Sequence, residues 1–358
     1  MQFNPERRRA CVVGTGLIGG SIGAGLRRRG WHVTGFDVDG SRAARALELG
    51  VIDAIGKDPD ALITFVATPA GDVAAAAETA LQGGGVVTDV AGIKGPIVDQ
   101  ISDPHFVGGH PMAGSEQAGV DGFDPDMFEG ATWVLTPTTH TDPAAYATVR
   151  GVVVALGANV VELPAARHDD LVALVSHVPH LTAATLMNLA ADTALEHATL
   201  LRLAAGGFRD MTRIAAGEPG IWPDLVADNR DGILDVLDRL ISALGEVRDV
   251  VESQDRDLML KFLERAREAR VNLPARVAAV GHDTSEIRVP VPDRPGVIAE
   301  VTTLLGEMGV NIYDFEIAHS AEGDRGVLVL VVDTEAAERV RSALHLRDYR
   351  CSVRPVGP

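Results

Sequence analysis

The chain has 358 residues, of which 46% are hydrophobic and 23% are charged, which is the composition of a globular protein with two or three domains. Its formal net charge of −18 disfavours general binding to nucleic acid or to an anionic membrane surface, because both partners would repel it at long range. An anionic small-molecule substrate would need local cations to hold it.

The cysteines and the apolar runs of the sequence indicate the cellular compartment in which the protein is expected. Cys11 and Cys351 lie at opposite ends of the chain and cannot build a disulfide framework or a zinc cage, which is typical of a reducing environment. The basic start is followed by a glycine loop instead of the apolar stretch of a signal peptide, and no run of about 18 apolar residues occurs. We therefore expect a cytoplasmic protein without a membrane span.

Residues 8–165 alternate between short runs rich in Val and Ile and alanine-rich stretches of helical length. This alternation predicts a Rossmann-type α/β domain with a mostly parallel, doubly wound sheet. Strands are expected at residues 10–13, 31–36, 62–67, 86–90, 106–109, 132–135 and 159–163, with helices at 71–82 and 143–156.

After Pro164 the pattern changes, because β-branched alternation is lost for about a hundred residues and apolar residues recur at helical spacing. We expect an all-helical substrate and dimerisation domain over residues 166–272. One long helix over residues 222–251 carries an apolar stripe, including Ile241 and Leu244, that a small domain could not bury. This stripe predicts a homodimer.

A stretch that mixes Pro, Gly, Asp, Thr and Ser, residues 270–285, is typical of a linker. Beyond it, strand and helix signals follow in the order βαββαβ. The strands are expected at residues 286–291, 310–318, 325–332 and 351–356, and the helices at 297–308 and 335–344. This order predicts a ferredoxin-like domain over residues 284–358.

A GxGxxG sequence follows the first predicted strand and opens a helix. Gly14 permits the tight turn, Gly16 lets the backbone approach a pyrophosphate, and Gly19 lets the helix pack against the strand. The N-terminus of the helix then faces the phosphates with free N–H groups. The loop predicts dinucleotide binding by Gly14, Thr15, Gly16, Leu17, Ile18 and Gly19.

Asp37 ends the second predicted strand, where a carboxylate accepts hydrogen bonds from ribose hydroxyls and repels a 2′-phosphate. It favours NAD over NADP. Arg42 leaves the alternative open, since it could receive that phosphate instead of being a solvated helix cation. Thr68 and Pro69 end another strand and are expected against the cofactor.

His110 lies in GGHPMAGSE, residues 108–116, which begins at the carboxyl end of a predicted strand. Doubly wound sheets bind ligands at this edge. An imidazole there is suited to accept a proton from a substrate hydroxyl while hydride leaves the same carbon, because its pKa lies near neutral pH. We predict a catalytic base, with a purely structural histidine as the alternative.

Four motifs, in this order, resemble those of the prephenate dehydrogenases of tyrosine biosynthesis. They are GTGLIGGS at residues 14–21, GGHPMAGSE at 108–116, SHVPH at 176–180 and FRDMTRIA at 208–215. The resemblance extends over residues 10–270. The βαββαβ segment with DRPG at residues 293–296 resembles the ACT regulatory domain that some members carry.

The resemblance implies the NAD-dependent oxidative decarboxylation of prephenate to 4-hydroxyphenylpyruvate, without a metal. It makes His110 the catalytic histidine. It also makes Glu116 a carboxylate that orders the histidine or its water, with a solvated loop carboxylate as the alternative.

Prephenate carries two carboxylates, and Arg213 is the expected cation because a guanidinium binds a carboxylate as a fork. The resemblance places Asp210 in the ion network of the site or in the subunit contact, with a simple ion pair to Arg213 as the alternative. It places His177 and His180 beside the substrate and Trp222 near the entrance, with a buried pair of helix histidines and ordinary helix packing of Trp222 as the alternatives. The two histidines are not expected to bind metal, because no third ligand stands at a useful spacing.

The chain departs from the family at Gly92, in the sequence DVAGIK, where members often have serine. A hydroxyl that could bridge His110 and the substrate is therefore absent, so that water or a backbone N–H replaces it or the substrate lies differently. Lys94 remains and is expected to add positive potential for the substrate, with a solvated lysine as the alternative.

The resemblance of the C-terminal segment to ACT domains implies an amino-acid effector held by Asp293, Arg294, Gly296 and Asn311. Tyrosine, the pathway product, is the natural candidate, and its feedback requires two enzyme states with different tyrosine affinity. A dimerisation module without a ligand is the alternative.

Other functions are compatible with parts of this pattern. Arogenate dehydrogenases perform the same chemistry on a substrate with an amino group in place of the keto group, and the motifs do not separate the two. A β-hydroxyacid or imine reductase would share the fingerprint but lack HPMAGSE. A non-catalytic sensor of NAD or amino acids would leave His110 and Arg213 dispensable.

Overall fold

The computed structural model describes residues 8–114, 117, 119–196, 203–217, 219–271, 284–292, 294–319 and 325–356. The chain divides into two compact units, Met1–Asp192 with Thr212–Glu246, and Thr193–Met211 with Val247–Pro358. Within the described ranges, no helix combines the length and the apolar character needed to cross a membrane.

Eight strands form the sheet of the first unit: β1 (Arg9–Val13), β2 (His32–Phe36), β3 (Ala54–Ile55), β4 (Ile63–Val66), β5 (Val86–Asp89), β6 (Phe106–Pro111), β7 (Thr132–Thr136) and β8 (Asn159–Glu162). They lie in the order β3-β2-β1-β4-β5-β6-β7-β8, with all neighbours parallel except β6 and β7. The predicted Rossmann-type sheet is confirmed. β3 was not predicted, because two residues are too few to show a period.

Five helices cover the two faces of this sheet: α1 (Leu17–Arg28), α2 (Gly40–Glu48), α3 (Ala70–Leu81), α4 (Gly95–Gln100) and α5 (Pro143–Ala155). Phe65 and Val66 are adjacent in β4 but belong to different cores, because successive strand residues point to opposite faces. One core is shared with α1 and α5, and the other with α3 and α4. Burial on both faces explains why β4 is apolar throughout.

The chain after β8 is helical, as predicted. Its helices are α6 (Ala165–Val172), α7 (Val178–Glu196), α8 (Gly206–Thr212), α9 (Trp222–Asp228), α10 (Arg230–Ser253) and α11 (Arg256–Val271). A π-helical turn, Ala173–His177, joins α6 to α7, and short 3₁₀ turns occupy Arg213–Ala216 and Pro219–Ile221.

The prediction of one helix over residues 222–251 is wrong, because the helix is interrupted at Asn229. Asn229 is buried, and its side-chain amide donates to the backbone oxygen of Asp169 and contacts Nδ1 of His177. The polar contacts of one buried side chain therefore set the break, which the apolar spacing of the sequence does not show.

The C-terminal segment has the predicted βαββαβ order: β9 (Thr284–Pro292), α12 (Val297–Glu307), β10 (Asp314–His319), β11 (Arg325–Asp333), α13 (Thr334–His345) and β12 (Ser352–Val356). The four strands form an antiparallel sheet in the order β10-β11-β9-β12. Both boundaries of the expected linker differ, because α11 runs to Val271 and β9 already includes Ser285. In addition, β10 begins at Asp314 and not at residue 310. Residues 272–283 of the expected linker lie outside the described residues.

Candidate active site

The glycine loop between β1 and α1 has the geometry that a dinucleotide site needs. Gly14 has φ +93°, and a side chain there would collide with the backbone of Ala67. A side chain at Gly19 would collide with the carbonyl of Gly14, so the helix lies directly against the turn. Among the described residues other than its chain neighbours, nothing lies within 4 Å of the position that a Cβ of Gly16 would occupy. The loop therefore leaves open space at its centre, and Leu17 and Ile18 begin the helix behind it.

Asp37 is buried at the end of β2 and fixes this loop. Its Oδ2 accepts hydrogen bonds from the backbone N–H of Thr15 at 2.9 Å and from the Thr15 hydroxyl at 3.2 Å. Its Oδ1 accepts the N–H of Asp39 at 3.0 Å. Arg42 is exposed and lies 3.6 Å from the Asp39 carboxylate. Asp37 thus orients the glycine loop, and its expected contact with a ribose stays a prediction.

Thr68 and Pro69 follow β4 at the same edge of the sheet, where Pro69 precedes α3. The Thr68 hydroxyl is buried and has no hydrogen-bond partner within the described part of the chain. An unpaired buried hydroxyl costs free energy, so a ligand group that meets it would be stabilising.

Lys94 does not occupy the place expected for a substrate cation. Its side chain is completely buried, and its Nζ donates to the Asp89 carboxylate and, at 2.9 Å, to the backbone oxygen of Gly109. Asp89 in turn accepts the N–H of Gly109 at 3.0 Å. Burial lowers the pKa of Lys94, and the Asp89 carboxylate acts against this shift. The pair tethers the strand residue immediately before His110, which corrects the sequence interpretation of Lys94.

His110 is joined to a second histidine and a carboxylate, a set that we call the charged line (His110, His168 and Asp169). Nδ1 of His110 lies 2.8 Å from Nε2 of His168, and Nδ1 of His168 lies 2.7 Å from Oδ1 of Asp169. His168 is fully buried, whereas His110 is half-buried. The position that a Cβ of Gly92 would occupy is 3.8 Å from Nε2 of His110.

The Asp169 carboxylate is anchored by backbone donors. Its Oδ1 accepts the N–H of Lys94 at 2.8 Å, and its Oδ2 accepts the N–H of Gly95 at 2.7 Å. Its backbone oxygen accepts the Asn229 amide at 2.9 Å. These hydrogen bonds hold the carboxylate in one position, so the line ends on an acceptor group that is fixed in place.

The environment of His110 disfavours its protonated form. Burial lowers the pKa of His110 well below its ordinary value, and the positive charges that His168, Lys94 and His177 can carry lower it further. A neutral imidazole at this position has a lone pair for a substrate proton across the neutral pH range.

A second group, which we call the aromatic cluster, consists of His177, His180 and Trp222. The rings of His180 and Trp222 are stacked, with centroids 3.7 Å apart and planes at 16°. The ring of His177 meets Trp222 edge-on, with centroids 6.2 Å apart, while its Nδ1 lies 3.1 Å from the Asn229 amide. Burial lowers the pKa of His180, and it lowers the pKa of His177 to about 4. All three predicted side chains are therefore brought together, as neutral groups.

The predicted substrate cation, Arg213, opens a 3₁₀ turn and has an exposed side chain. The turn leads to Gly217, where an added Cβ would lie 3.7 Å from the His180 ring, so the turn runs beside the aromatic cluster. Asp210 is exposed on α8. Glu116 lies outside the described residues, so its predicted role stays a prediction.

Sequence reasoning did not single out His168, Asp169, Asp89 or Asn229. His168 is 58 positions from its partner His110, and no spacing rule connects them. The available signal was the adjacent pair His168-Asp169 on a predicted helix, because a histidine next to a carboxylate that leads into SHVPH is a candidate for oriented imidazole chemistry.

The predicted effector residues are only partly described. Arg294 pairs with Glu300 at 2.8 Å, and Gly296 has φ +88° at the start of α12. An open pocket of about 640 Å³ lies here, lined by Arg294, Pro295, Gly296, Ile298, Ala299 and Thr302. Asn311 is exposed, and Asp293 lies outside the described residues.

Comparison with known families agrees with this arrangement. The profile for "prephenate dehydrogenase, nucleotide-binding domain" matches residues 22–162, and the profile for "prephenate dehydrogenase, dimerization domain" matches residues 164–265. The profile for the ACT domain matches residues 285–345.

Individual relatives extend over most of the chain. Prephenate dehydrogenase of Bacillus subtilis (strain 168) is 34% identical over 91% of this chain and 92% of its own length. The crystal structure of Synechocystis arogenate dehydrogenase is similar with a TM-score of 0.64 and 32% identity, over 73% of this chain and 98% of that one. That of prephenate dehydrogenase from A. aeolicus, in complex with hydroxyphenyl propionate and NAD+, gives 0.69 and 26%, over 73% and 96%. The chain belongs to the prephenate dehydrogenase family.

Proposed function

We propose that this chain catalyses the NAD-dependent oxidative decarboxylation of prephenate to 4-hydroxyphenylpyruvate. The observation that carries the proposal is the environment of His110. Its Nδ1 is hydrogen-bonded to His168, and its Nε2 lies beside Gly92. His110 is the penultimate residue of β6, at the sheet edge that also holds the glycine loop. A base and a dinucleotide site at one edge are what an alcohol oxidation requires.

The cofactor residues fit NAD. The open space at Gly16 admits a pyrophosphate, the unpaired Thr68 hydroxyl offers a hydrogen bond, and the Asp37 carboxylate disfavours a 2′-phosphate. Gly14, Thr15 and the start of α1 supply backbone donors. Held by these residues, NAD would supply the acceptor for the hydride that leaves the carbinol carbon of the substrate.

His110 takes the proton of the substrate hydroxyl at Nε2 as the carbinol carbon is oxidised. Carbon dioxide then departs from the opposite ring carbon, and its bonding electrons make the ring aromatic. Neutral His110 serves this step because its pKa is held below the working pH. Glu116 keeps its proposed role of ordering the histidine or its water.

Substrate carboxylates require cations, and we propose that Arg213 binds them. Arg213 is exposed and is the first residue of the turn that runs beside His180. His177, His180 and Trp222 form the wall against which the substrate side chain packs. Asp210 remains proposed for the ion network or the subunit contact.

The test is a kinetic panel. The purified chain receives prephenate or arogenate, each with NAD or NADP, and formation of the reduced cofactor is followed by absorbance. We expect the highest kcat/KM with prephenate and NAD, and a strongly raised KM for prephenate in Arg213→Ala. Turnover of arogenate alone would replace the proposed substrate, and unchanged prephenate affinity in the variant would remove the role of Arg213.

We also propose that the chain has three domains, at residues 8–165, 166–272 and 284–358. We propose further that two chains form a homodimer through the helical domain. Ile241 and Leu244 on α10 are 65% and 57% exposed in the single chain, and apolar side chains at this level of exposure favour a covering partner. Mass measurement in solution should give twice the chain mass for the wild type and a smaller mass for Ile241→Glu.

For the C-terminal domain we propose tyrosine as a feedback effector that binds in the pocket at Arg294 and Gly296. Asp293 and Asn311 keep their proposed role as effector contacts. Tyrosine should inhibit the wild type. Ala299→Trp, at an exposed lining position, should fill the pocket and abolish inhibition. Thr303→Trp, exposed on the same helix but outside the lining, is the matched control. Tyrosine inhibition that survives Ala299→Trp would contradict this site.

A further inference from the structure

The charged line has a definite direction of hydrogen bonding. An ionised carboxylate accepts only, so Nδ1 of His168 must donate to Asp169. In a neutral ring the other nitrogen then accepts, so Nε2 of His168 receives a hydrogen bond from Nδ1 of His110. The protons are assigned from this network, and the assignment leaves Nε2 of His110 with a lone pair on the side of Gly92.

We infer that His168 stores one proton during the reaction. The substrate hydroxyl gives its proton to His110, His110 passes another proton to His168, and the relay later runs in reverse to the product oxygen. The inference rests on the proposed function. As Nε2 of His110 takes the proton from the hydroxyl, the proton on Nδ1 of His110 moves to Nε2 of His168. His110 is neutral again, and His168 becomes an imidazolium that faces the Asp169 carboxylate at 2.7 Å.

The proton balance of the reaction is compatible with such a temporary store. The hydroxyl loses its proton when hydride leaves, yet the product has a phenolic hydroxyl after the electrons of the broken bond to carbon dioxide enter the ring. Substrate and oxidised cofactor become product, carbon dioxide and reduced cofactor with no net gain or loss of protons. The proton therefore returns along the same two bonds in reverse.

Charges around the line favour His168 over His110 as the place for the positive charge. Among the described residues, the titratable and charged groups around the two rings are Asp89 at the end of β5, Lys94 before α4, Asp169 on α6 and His177 in the π-helical turn. Lys94 is paired with Asp89, whereas Asp169 touches His168 directly. A cation on His168 thus has a carboxylate contact, and a cation on His110 has none of that kind among the described side chains.

His168→Gln separates this role from simple orientation of His110. The glutamine oxygen can still accept the N–H of His110 but cannot take up its proton. We expect kcat for prephenate to fall about 100-fold, with KM and the Kd for NAD unchanged. His105→Gln, an exposed histidine whose ring pairs with Asp103 instead of with the line, is the control and should match the wild type.

The decisive measurement is kcat in mixtures of H₂O and D₂O. The wild type should give a curved dependence on the D₂O fraction, because two protons move together, and His168→Gln a linear one. Circular dichroism and NAD affinity establish that the variant is folded. An active wild type with a linear dependence, or a His168→Gln variant with unchanged kcat and curvature, would overturn the proton store and leave the proposed function intact.

A second measurement is independent of turnover. In ¹⁵N-histidine NMR of the full chain, Nδ1 should carry the hydrogen in both His110 and His168, with the two signals assigned through His110→Asn and His168→Gln. A hydrogen on Nε2 of His110 in the resting protein would overturn the inference. A wild type that oxidises neither prephenate nor arogenate would overturn the proposed function and, with it, the proton store.

Discussion

The charged line and the aromatic cluster each contain two histidines, but their surroundings differ. His110 and His168 are hydrogen-bonded to each other and end on the anchored Asp169 carboxylate. His177 and His180 instead meet the ring of Trp222, and burial disfavours their protonated forms. The same residue type is therefore equipped to move protons in one place and to pack as a neutral ring in the other.

The strongest test of this comparison is His110→Asn. Asparagine retains a polar side chain but cannot act as the base, so kcat should fall by about 10² to 10⁴-fold. The Kd for NAD, measured by titration, should change little, because the glycine loop and Asp37 are untouched. His105→Asn serves as the surface control. Full turnover in His110→Asn would show that the charged line does not carry the chemistry.

Removing the cation that supports the charged line should affect stability. Lys94→Met leaves the buried Asp89 carboxylate without its ion pair, and the free energy of unfolding should fall by about 3–5 kcal/mol. Chemical denaturation measures this loss, and Lys57→Met is the exposed control. Adding Asp89→Asn to Lys94→Met should recover part of the loss. If Lys94→Met lost no more free energy of unfolding than Lys57→Met, the buried ion pair between Lys94 and Asp89 would be contradicted.

The sequence revealed the parts of the candidate site unequally. The glycine loop was predictable because its turn, its helix and the acidic Asp37 follow each other within one strand-helix-strand unit. Lys94 was misplaced, because a lysine after a strand has the same sequence signature whether it points to solvent or beneath Gly109. His168 was missed because only tertiary packing brings it to His110.

The break at Asn229 follows the same principle. Its neighbours on both sides have ordinary helical spacing, and only the buried partners Asp169 and His177 explain the interruption. Local chemistry is therefore readable from the sequence, whereas side-chain networks that join distant segments require the fold.

Disrupting the aromatic cluster should affect binding more than chemistry. Trp222→Ala removes the ring stacked on His180, and an aromatic pair contributes about 0.5–1.5 kcal/mol beyond its buried area. The KM for prephenate should rise by up to about tenfold with kcat nearly unchanged. Trp222→Phe keeps a ring and should keep most of the affinity. A loss confined to kcat would mean that the cluster takes part in proton movement.

The pH profile sharpens the same contrast. The pKa of His110 is lowered well below 6.5 by burial and by neighbouring positive charge, so its active neutral form persists as the pH falls through 6.5. The value of kcat/KM should stay level from about pH 8 to 6.5 and decline only at lower pH. A decline that begins above pH 6.5 would indicate a base with a raised pKa.

The smallest effect is expected at Gly92, which borders the charged line. A Cβ there would lie 3.6 Å from Cδ1 of Leu225 and 3.8 Å from the His110 ring, which are ordinary contacts, so Gly92→Ser should fold normally. Its hydroxyl can donate toward Nε2 of His110 or the substrate, and kcat/KM should rise about threefold. Gly92→Ala, with the same Cβ and no hydroxyl, should match the wild type. A lower kcat/KM in Gly92→Ser, but not in Gly92→Ala, would mean that a water molecule at this position serves the reaction better than the serine hydroxyl.

The π-helical turn sets the helical phase of this region. His168 and His177 are nine positions apart, which in an uninterrupted α-helix is about 2.5 turns and would place them on opposite faces. The wider turn at Ala173–His177 changes that rotation, so that His177 meets Asn229, the residue that also holds the Asp169 carbonyl. The number of residues between the two histidines is consequently as constrained as their identity, and a single insertion or deletion there would turn His180 on α7 away from Trp222.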